Sequence, residues 1–220
     1  MKAFIEKSDL NEIHRLLNEG LADIGMRKKR KWWFVQEKNE DLEHGLCINI
    51  KKTSKISSIY PYFMIMSDKM GKFQLDILSL SKYYYRDKDS LLGCSLVEIQ
   101  GFEQMLHKIG QSRDIYYYSD YSHSAPKVVD RLISDFQSGF PKFIENKETI
   151  DGLIKCYMDE AMDFFDGKHV NNPRTVVLLS LLFLYGTREQ LRDVLSIISP
   201  ASHAPYVVEF AGHVRERMAS

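Results

Sequence analysis

Near the start of the chain the apolar positions return at helical spacing: Leu10, Ile13, Leu16, Leu17 and Ile24 share one face. Asp9 and Glu12 have the spacing of a capping box, which satisfies backbone N–H groups left free at a helix start, and Gly25 suits its end. The period then falls to two. In GLCINIK (45–51), Leu46, Ile48 and Ile50 alternate with Cys47, Asn49 and Lys51; in KFQLDIL (72–78), Phe73, Leu75 and Ile77 alternate with Lys72, Gln74 and Asp76. IYPYFMIMS (59–67) is a third such run, with Pro61 marking an edge or a strand beginning, and WWFVQ (32–36) a fourth. The links EKNEDLEH, KKTSKISS and DKMG are short, which suits antiparallel hairpins and excludes helical crossovers. The first helix is expected to cover one face of this four-stranded sheet.

Beyond residue 80 the strand pattern fades. SKYYYRDKDS (81–90) reads as a polar connection, SLVEIQGFEQMLHKIG (95–110) as a helix ending at Gly110, and DIYYYSDY (114–121) as an edge strand or extended loop. The rest is helical. Ser124 is the expected N-cap of a helix carrying Val128, Val129, Leu132, Ile133 and Phe136, which Pro141 interrupts. Residues 147–166 repeat the habit with Ile150, Leu153, Ile154 and Tyr157. Asn172 and Pro173 open TVVLLSLLFLY (175–185), a run apolar all round and therefore buried on every side, which Gly186 stops. Thr187 and Gln190 form a capping box for the next helix, and a last one over about 204–218 presents Tyr206, Val207, Phe210, Val214 and Met218. No tandem repeat of about 33 or 34 residues is visible. The echo between SHSAPKVVD (122–130) and SHAPYVVEF (202–210) reads as shared helix-start chemistry.

Composition places these elements in an ordinary folded chain of 220 residues, 44% hydrophobic and 27% charged. Thirty basic residues balance thirty acidic ones, so the molecule as a whole offers no net field toward nucleic acid or an anionic membrane. Cys47, Cys94 and Cys156 are odd in number and far apart, without zinc-ligand spacing, and read as reduced thiols. The opening MKAFIEKSDL has no secretory apolar core, and the longest apolar run is about half of the ~20 residues a membrane crossing takes. A cytoplasmic protein is expected, with no cofactor, no metal and no membrane partner.

Catalytic signatures are missing: there is no G-x-S-x-G turn, phosphate loop, G-x-G-x-x-G or H-E-x-x-H. The seven histidines do not gather into a ligand pattern, and no catalytic residue is assigned. Three stretches carry candidate binding chemistry. The first is RKKRKWW: Arg27, Lys28, Lys29, Arg30 and Lys31 stand against Trp32 and Trp33. It reads as the solvated start of a strand, its charge offset by the acidic EKNEDLE (37–43), with Trp33 and Val35, or Trp32 and Phe34, turned inward. Its alternative readings are a phosphate-contacting patch and a nuclear-localisation signal. The second is a density of tyrosine in otherwise polar segments, Tyr83, Tyr84 and Tyr85, then Tyr116, Tyr117, Tyr118 and Tyr121. Tyrosine joins apolar area to a hydroxyl, and such rings suit a protein contact. The third is DYSHSAPK (120–127), where His123, Ser124 and Lys127, with Asp120, crowd a helix start able to attract a small anion.

The stretch LLNEGLADIGMRKKRKWWFV, an amphipathic helix running straight into an aromatic strand, resembles a family of small uncharacterised bacterial domains of unknown function, some of them immunity-like. The matching positions are Leu17, Leu21, Gly25, Met26, Arg27, Lys28, Trp33 and Val35, within the first ~80 residues. Met26 stands where the family more often has an aromatic, and the helical half has no counterpart. The resemblance implies a bacterial, non-enzymatic protein that binds and neutralises or regulates another protein.

The sequence thus predicts an α+β fold: an N-terminal helix on a four-stranded antiparallel sheet (1–110), then an all-helical half (111–220) packed against it as one unit. The function expected is protein binding through the tyrosine-rich segments. Nucleic-acid binding through residues 27–33, and small-anion binding or catalysis centred on His123, are the alternatives.

Overall fold

The computed structural model describes residues 7–36, 41–52, 57–78, 96–111, 124–164 and 172–220. The order of elements is α1 (Lys7–Ala22), β1 (Arg27–Arg30), β2 (Trp33–Val35), β3 (Glu43–Lys52), β4 (Ser57–Met66), α2 (Asp68–Leu78), β5 (Leu96–Gly101), α3 (Phe102–Lys108), α4 (Ala125–Ile144), α5 (Ile150–Phe164), α6 (Asn172–Tyr185), α7 (Arg188–Ile197) and α8 (Pro205–Ala219). This is an α+β protein with a helical C-terminal half. Its sheet has five strands in sequence order, β1-β2-β3-β4-β5, with β1/β2 and β2/β3 antiparallel.

Two elements depart from the expected pattern. Residues 72–78 are helix, not strand. Ser67 Oγ accepts from the Met70 N–H at 3.2 Å, and Met70, Phe73, Gln74 and Ile77 are buried at i, i+3, i+4 and i+7 while Leu75 is 38% exposed. The alternation of Phe73 and Ile77 fits both periods; Met70 and Gln74 settle it. Residues 95–110 are not one helix either. β5 occupies 96–101, and Gly101, with φ −63° and ψ 144°, is the extended residue from which α3 starts. The basic run is itself a strand, so the sheet gains an edge on each side of the three expected strands that remain.

The helix ends follow their sequence signals closely. Gly25 has φ +79°, and the Gly25 N–H donates to Ala22 O at 3.0 Å while the Met26 N–H donates to Leu21 O at 2.9 Å. That is a Schellman ending, and Leu21 and Met26, which it links, are both buried. The described part of α1 begins at Lys7, so Asp9 lies in the first turn and does not serve as the cap. Pro141 does not interrupt α4, which runs through it to Ile144. Pro141 is exposed, and the buried Phe136, Phe140 and Phe143 anchor the helix on both sides of it.

The chain forms two compact units: residues 1–39, 43–65 and 98–145, and residues 40–42, 66–97 and 146–220. A cut at residue 110 divides the chain differently, since α4 belongs to the sheet's unit and α2 to the helical one. In the first unit α4 packs along α1 and α3. Phe63 of β4 sits among Phe102, Phe136 and Phe143 with ring centroids 4.2, 5.8 and 5.4 Å away. In the second unit α6 is enclosed as its composition demands: α2, α5, α7 and α8 all pack on it, and Val176, Leu179, Ser180 and Leu181 are fully buried. Ser180 Oγ donates to Val176 O at 2.7 Å and accepts from Gln74 Nε2 at 3.2 Å, so the two buried polar groups satisfy each other.

Candidate partner-binding edge

The basic run gains a defined geometry from its pairing. Among the described residues β1 is the last strand on its side of the sheet, aligned with β2 through Arg27 opposite Val35, Lys28 opposite Phe34 and Arg30 opposite Trp33. Lys29 is the extra residue of a bulge. Arg27, Lys28, Arg30 and Lys31 are exposed and Lys29 half-buried. Phe34 and Val35 both enter the core, while Trp32 and Trp33 stay half-buried. Sheet pairing drives this: Val35 lies opposite Gly45, where a Cβ would stand 2.0 Å from the Phe34 carbonyl oxygen, so the strands meet closely over a position without a side chain.

The five charges are not equivalent. Glu43, at the start of β3, has its side chain 10% exposed and takes two of them: Arg27 Nη2 donates to Oε1 at 2.8 Å, and Lys29 Nζ to Oε2. Arg30 lays its guanidinium over the Trp33 ring, 4.7 Å from the centroid. Trp32 meets His14 of α1 edge-on, with centroids 4.9 Å apart and planes at 77°. Burial holds the His14 imidazole below its ordinary pKa; a hydrogen bond to the Lys31 backbone opposes this, and the charges of Lys28 and Lys31 add to it. Among the described residues, Lys28, Arg30 and Lys31 are thus exposed cations on β1 and the turn after it, next to two half-buried tryptophans, with Lys28 aligned with Phe34 and Arg30 with Trp33. The expected offset by the acidic hairpin is met in part by Glu43, whereas Asp41 lies 3.5 Å from Lys69 and accepts from the Tyr185 hydroxyl at 3.0 Å.

The other candidates fare differently. Tyr83, Tyr84, Tyr85, Tyr116, Tyr117, Tyr118, Tyr121 and His123 lie outside the described residues. Ser124 occupies the N-cap of α4, but its side chain makes no capping bond, and Lys127 is exposed in the first turn. The related helix start at α8 differs, for Ala204 is its N-cap and His203 is buried, its Nδ1 2.8 Å from Ser202 Oγ. Among the described residues no three His, Cys, Asp or Glu side chains gather as a metal site would need, and no helix is long and apolar enough to cross a membrane.

A cleft of about 450 Å³ between α7 and α8, lined by Arg192, Leu195, Ser196, Arg215 and Met218, had no signal in the sequence because its arginines come from different helices. Arg215 Nη2 donates to the Leu195 carbonyl at 2.5 Å, so that cation serves the C-terminal end of α7.

No family model matches the chain, and neither does any curated protein or solved structure. The reading of the edge therefore rests on its own chemistry.

Proposed function

We propose that this protein acts by binding another protein in the cytoplasm, as a regulatory or immunity factor, and that the basic edge at β1 is a contact surface for an acidic partner. The observation that carries the reading is the joint exposure of Lys28, Arg30 and Lys31 on the outermost of the described strands and the turn after it, beside two half-buried tryptophans. Tryptophan and arginine are enriched where protein interfaces concentrate their energy. A local run of exposed cations on a molecule of zero net charge steers an acidic partner to one place without attracting anions everywhere. The tyrosines at 83–85 and 116–121 are proposed as a further contact.

Affinity capture from nuclease-treated lysate of the cells that make the protein tests this. A specific captured protein should be lost from Lys28→Glu/Arg30→Glu/Lys31→Glu, a variant whose circular dichroism and melting should match the parent because all three side chains are exposed. Equal capture by parent and variant removes the edge from the function. Loss with alanine at Tyr83–Tyr85 or Tyr116–Tyr118 assigns the tyrosine contact, and unchanged capture counts against it.

Nucleic acid has less support at the same residues. Glu43 already neutralises Arg27 and Lys29, the guanidinium of Arg30 covers one face of Trp33, and an edge of Trp32 is turned into His14. The three cations that remain give weak binding that added salt abolishes. A gel shift at two salt concentrations decides it.

A further inference from the structure

We propose that the cleft between α7 and α8 binds a small organic anion, a monocarboxylate with an apolar body, a function beyond that of the β1 surface. Each helix brings the same kind of trio to the cleft at i, i+3 and i+4: Arg192, Leu195 and Ser196 from α7, and Arg215, Met218 and Ala219 from α8. Residues at that spacing share one helix face, so each wall carries a guanidinium followed by an apolar and a small side chain. The cleft's volume of about 450 Å³ lies within the range of roughly 300–1,000 Å³ usual for small-molecule sites.

No acidic side chain is among the described residues that line it, so the two cations meet no counter-charge there. Arg215 is fixed in place, because its Nη2 donates to the Leu195 carbonyl, and the other N–H groups of its fork are left to an incoming acceptor. Arg192 is exposed and makes no ion pair, hydrogen bond or ring contact among the described residues. On α8 Glu216 is turned to His213, 3.2 Å away. The carbonyl end of α7 opposes an anion, and two bonds offset it in part: Ser196 Oγ donates to Asp193 O at 2.6 Å, and Arg215 to Leu195 O. The guanidinium fork matches the two oxygens of a carboxylate. Leu195 is buried and Met218 half-buried, and with Ala219 they give an apolar wall that a hydrocarbon body covers and an inorganic anion leaves bare. Methionine adapts its unbranched thioether to differing shapes, so this wall selects a class of acid more than one member of it.

Isothermal titration of the full chain with octanoate, octanol, acetate and inorganic phosphate tests this, with methyl-labelled methionine NMR locating the event at Met218, whose signal Met218→Leu identifies. Octanoate should bind saturably with a Kd of about 1 mM or tighter, at least about tenfold below that of octanol, which lacks the charge, and of acetate or phosphate, which lack the body. The Met218 methyl signal should shift along the same isotherm. Arg192→Gln, at an exposed position whose loss leaves the fold intact, should weaken octanoate at least about tenfold. Absence of saturable octanoate binding overturns the proposal. Octanol or phosphate binding as tightly as octanoate also overturns it, since the head group or the body then plays no part in recognition. Octanoate binding that Arg192→Gln leaves unchanged, or that leaves the Met218 signal still, lies elsewhere on the molecule and overturns it too. None of these outcomes bears on the β1 surface, which partner capture judges.

Discussion

Glu43 shows how two ion pairs on one carboxylate differ in worth. Arg27 has its side chain 56% exposed, so its pair with Glu43 is screened and contributes at most about 1 kcal/mol. Lys29 is 18% exposed and shares the same carboxylate from a drier position. Arg27→Ala should therefore leave the urea midpoint nearly unchanged, whereas Glu43→Gln, which removes the little-exposed carboxylate that both cations share, should destabilise by about 1–3 kcal/mol. Equal effects of the two substitutions would contradict this ranking. Gly45 is constrained by space. A Cβ there would stand 2.0 Å from the Phe34 carbonyl oxygen and 2.9 Å from the Val35 Cα, backbone atoms that cannot rotate away. Gly45→Ala is expected to destabilise by about 3 kcal/mol, the upper end for overpacking, and to lower amide protection in β2 and β3 together. The basic run was plain in the sequence, but the assignment of Arg27 and Lys29 to a carboxylate 16 and 14 residues away was not, because that pairing exists only once β1, β2 and β3 are in register.

Elements with local signals were legible, and those decided by tertiary burial were not. The Thr187 capping box was readable because its parts lie three residues apart: the Gln190 N–H donates to Thr187 Oγ1 at 3.2 Å and the Thr187 N–H to Gln190 Oε1 at 2.9 Å. Thr187→Ala should cost about 1 kcal/mol, with amide exchange rising first in the opening turn of α7. Thr187→Ser, which keeps the acceptor, should restore most of it. Gly25 and Gly110 marked the ends of α1 and α3 for a comparably local reason, since both adopt positive φ. Residues 72–78 read as a strand because Phe73, Leu75 and Ile77 alternate, and the burial of Met70 and Gln74 that overrides this depends on α6 and α8 being in place. β5 was hidden by its fusion to α3 at Gly101, where one apolar run serves two periods in succession. Of the proposed binding residues, the exposed cations lie on β1 and the turn after it, while the tyrosines fall in segments whose composition gives no periodicity to read.

At the scale of the molecule, two imidazoles, the half-buried His14 and the buried His203, set a pH dependence that the zero net charge alone does not show. His14 in the sheet's unit and His203 in the helical unit both have lowered pKa values, burial being the first cause in each; at His203 a hydrogen bond with the Ser199 backbone works in the other direction. Nε2 of each ring is buried without a hydrogen-bond partner, so protonation would place a charge where nothing accepts its proton. A group whose native pKa lies below its unfolded value binds protons preferentially in the unfolded chain. Stability is then complete above the ordinary imidazole value of 6.5 and is lost as pH falls through it toward the lowered native values. Urea midpoints at about pH 7.5 and about pH 5.5 should differ for the parent in that direction, and His14→Gln combined with His203→Gln should narrow the difference. A parent midpoint that rises toward acid, or a double variant with the parent's full pH slope, would show that neither ring is held neutral by the fold. At His14 the same titration reaches the proposed edge: its ring meets Trp32, and the charges of Lys28 and Lys31 oppose its protonation. By reciprocity an acidic partner that offsets those two lysines should raise the His14 pKa, and histidine NMR shifts followed through a pH titration with and without the captured partner should show it.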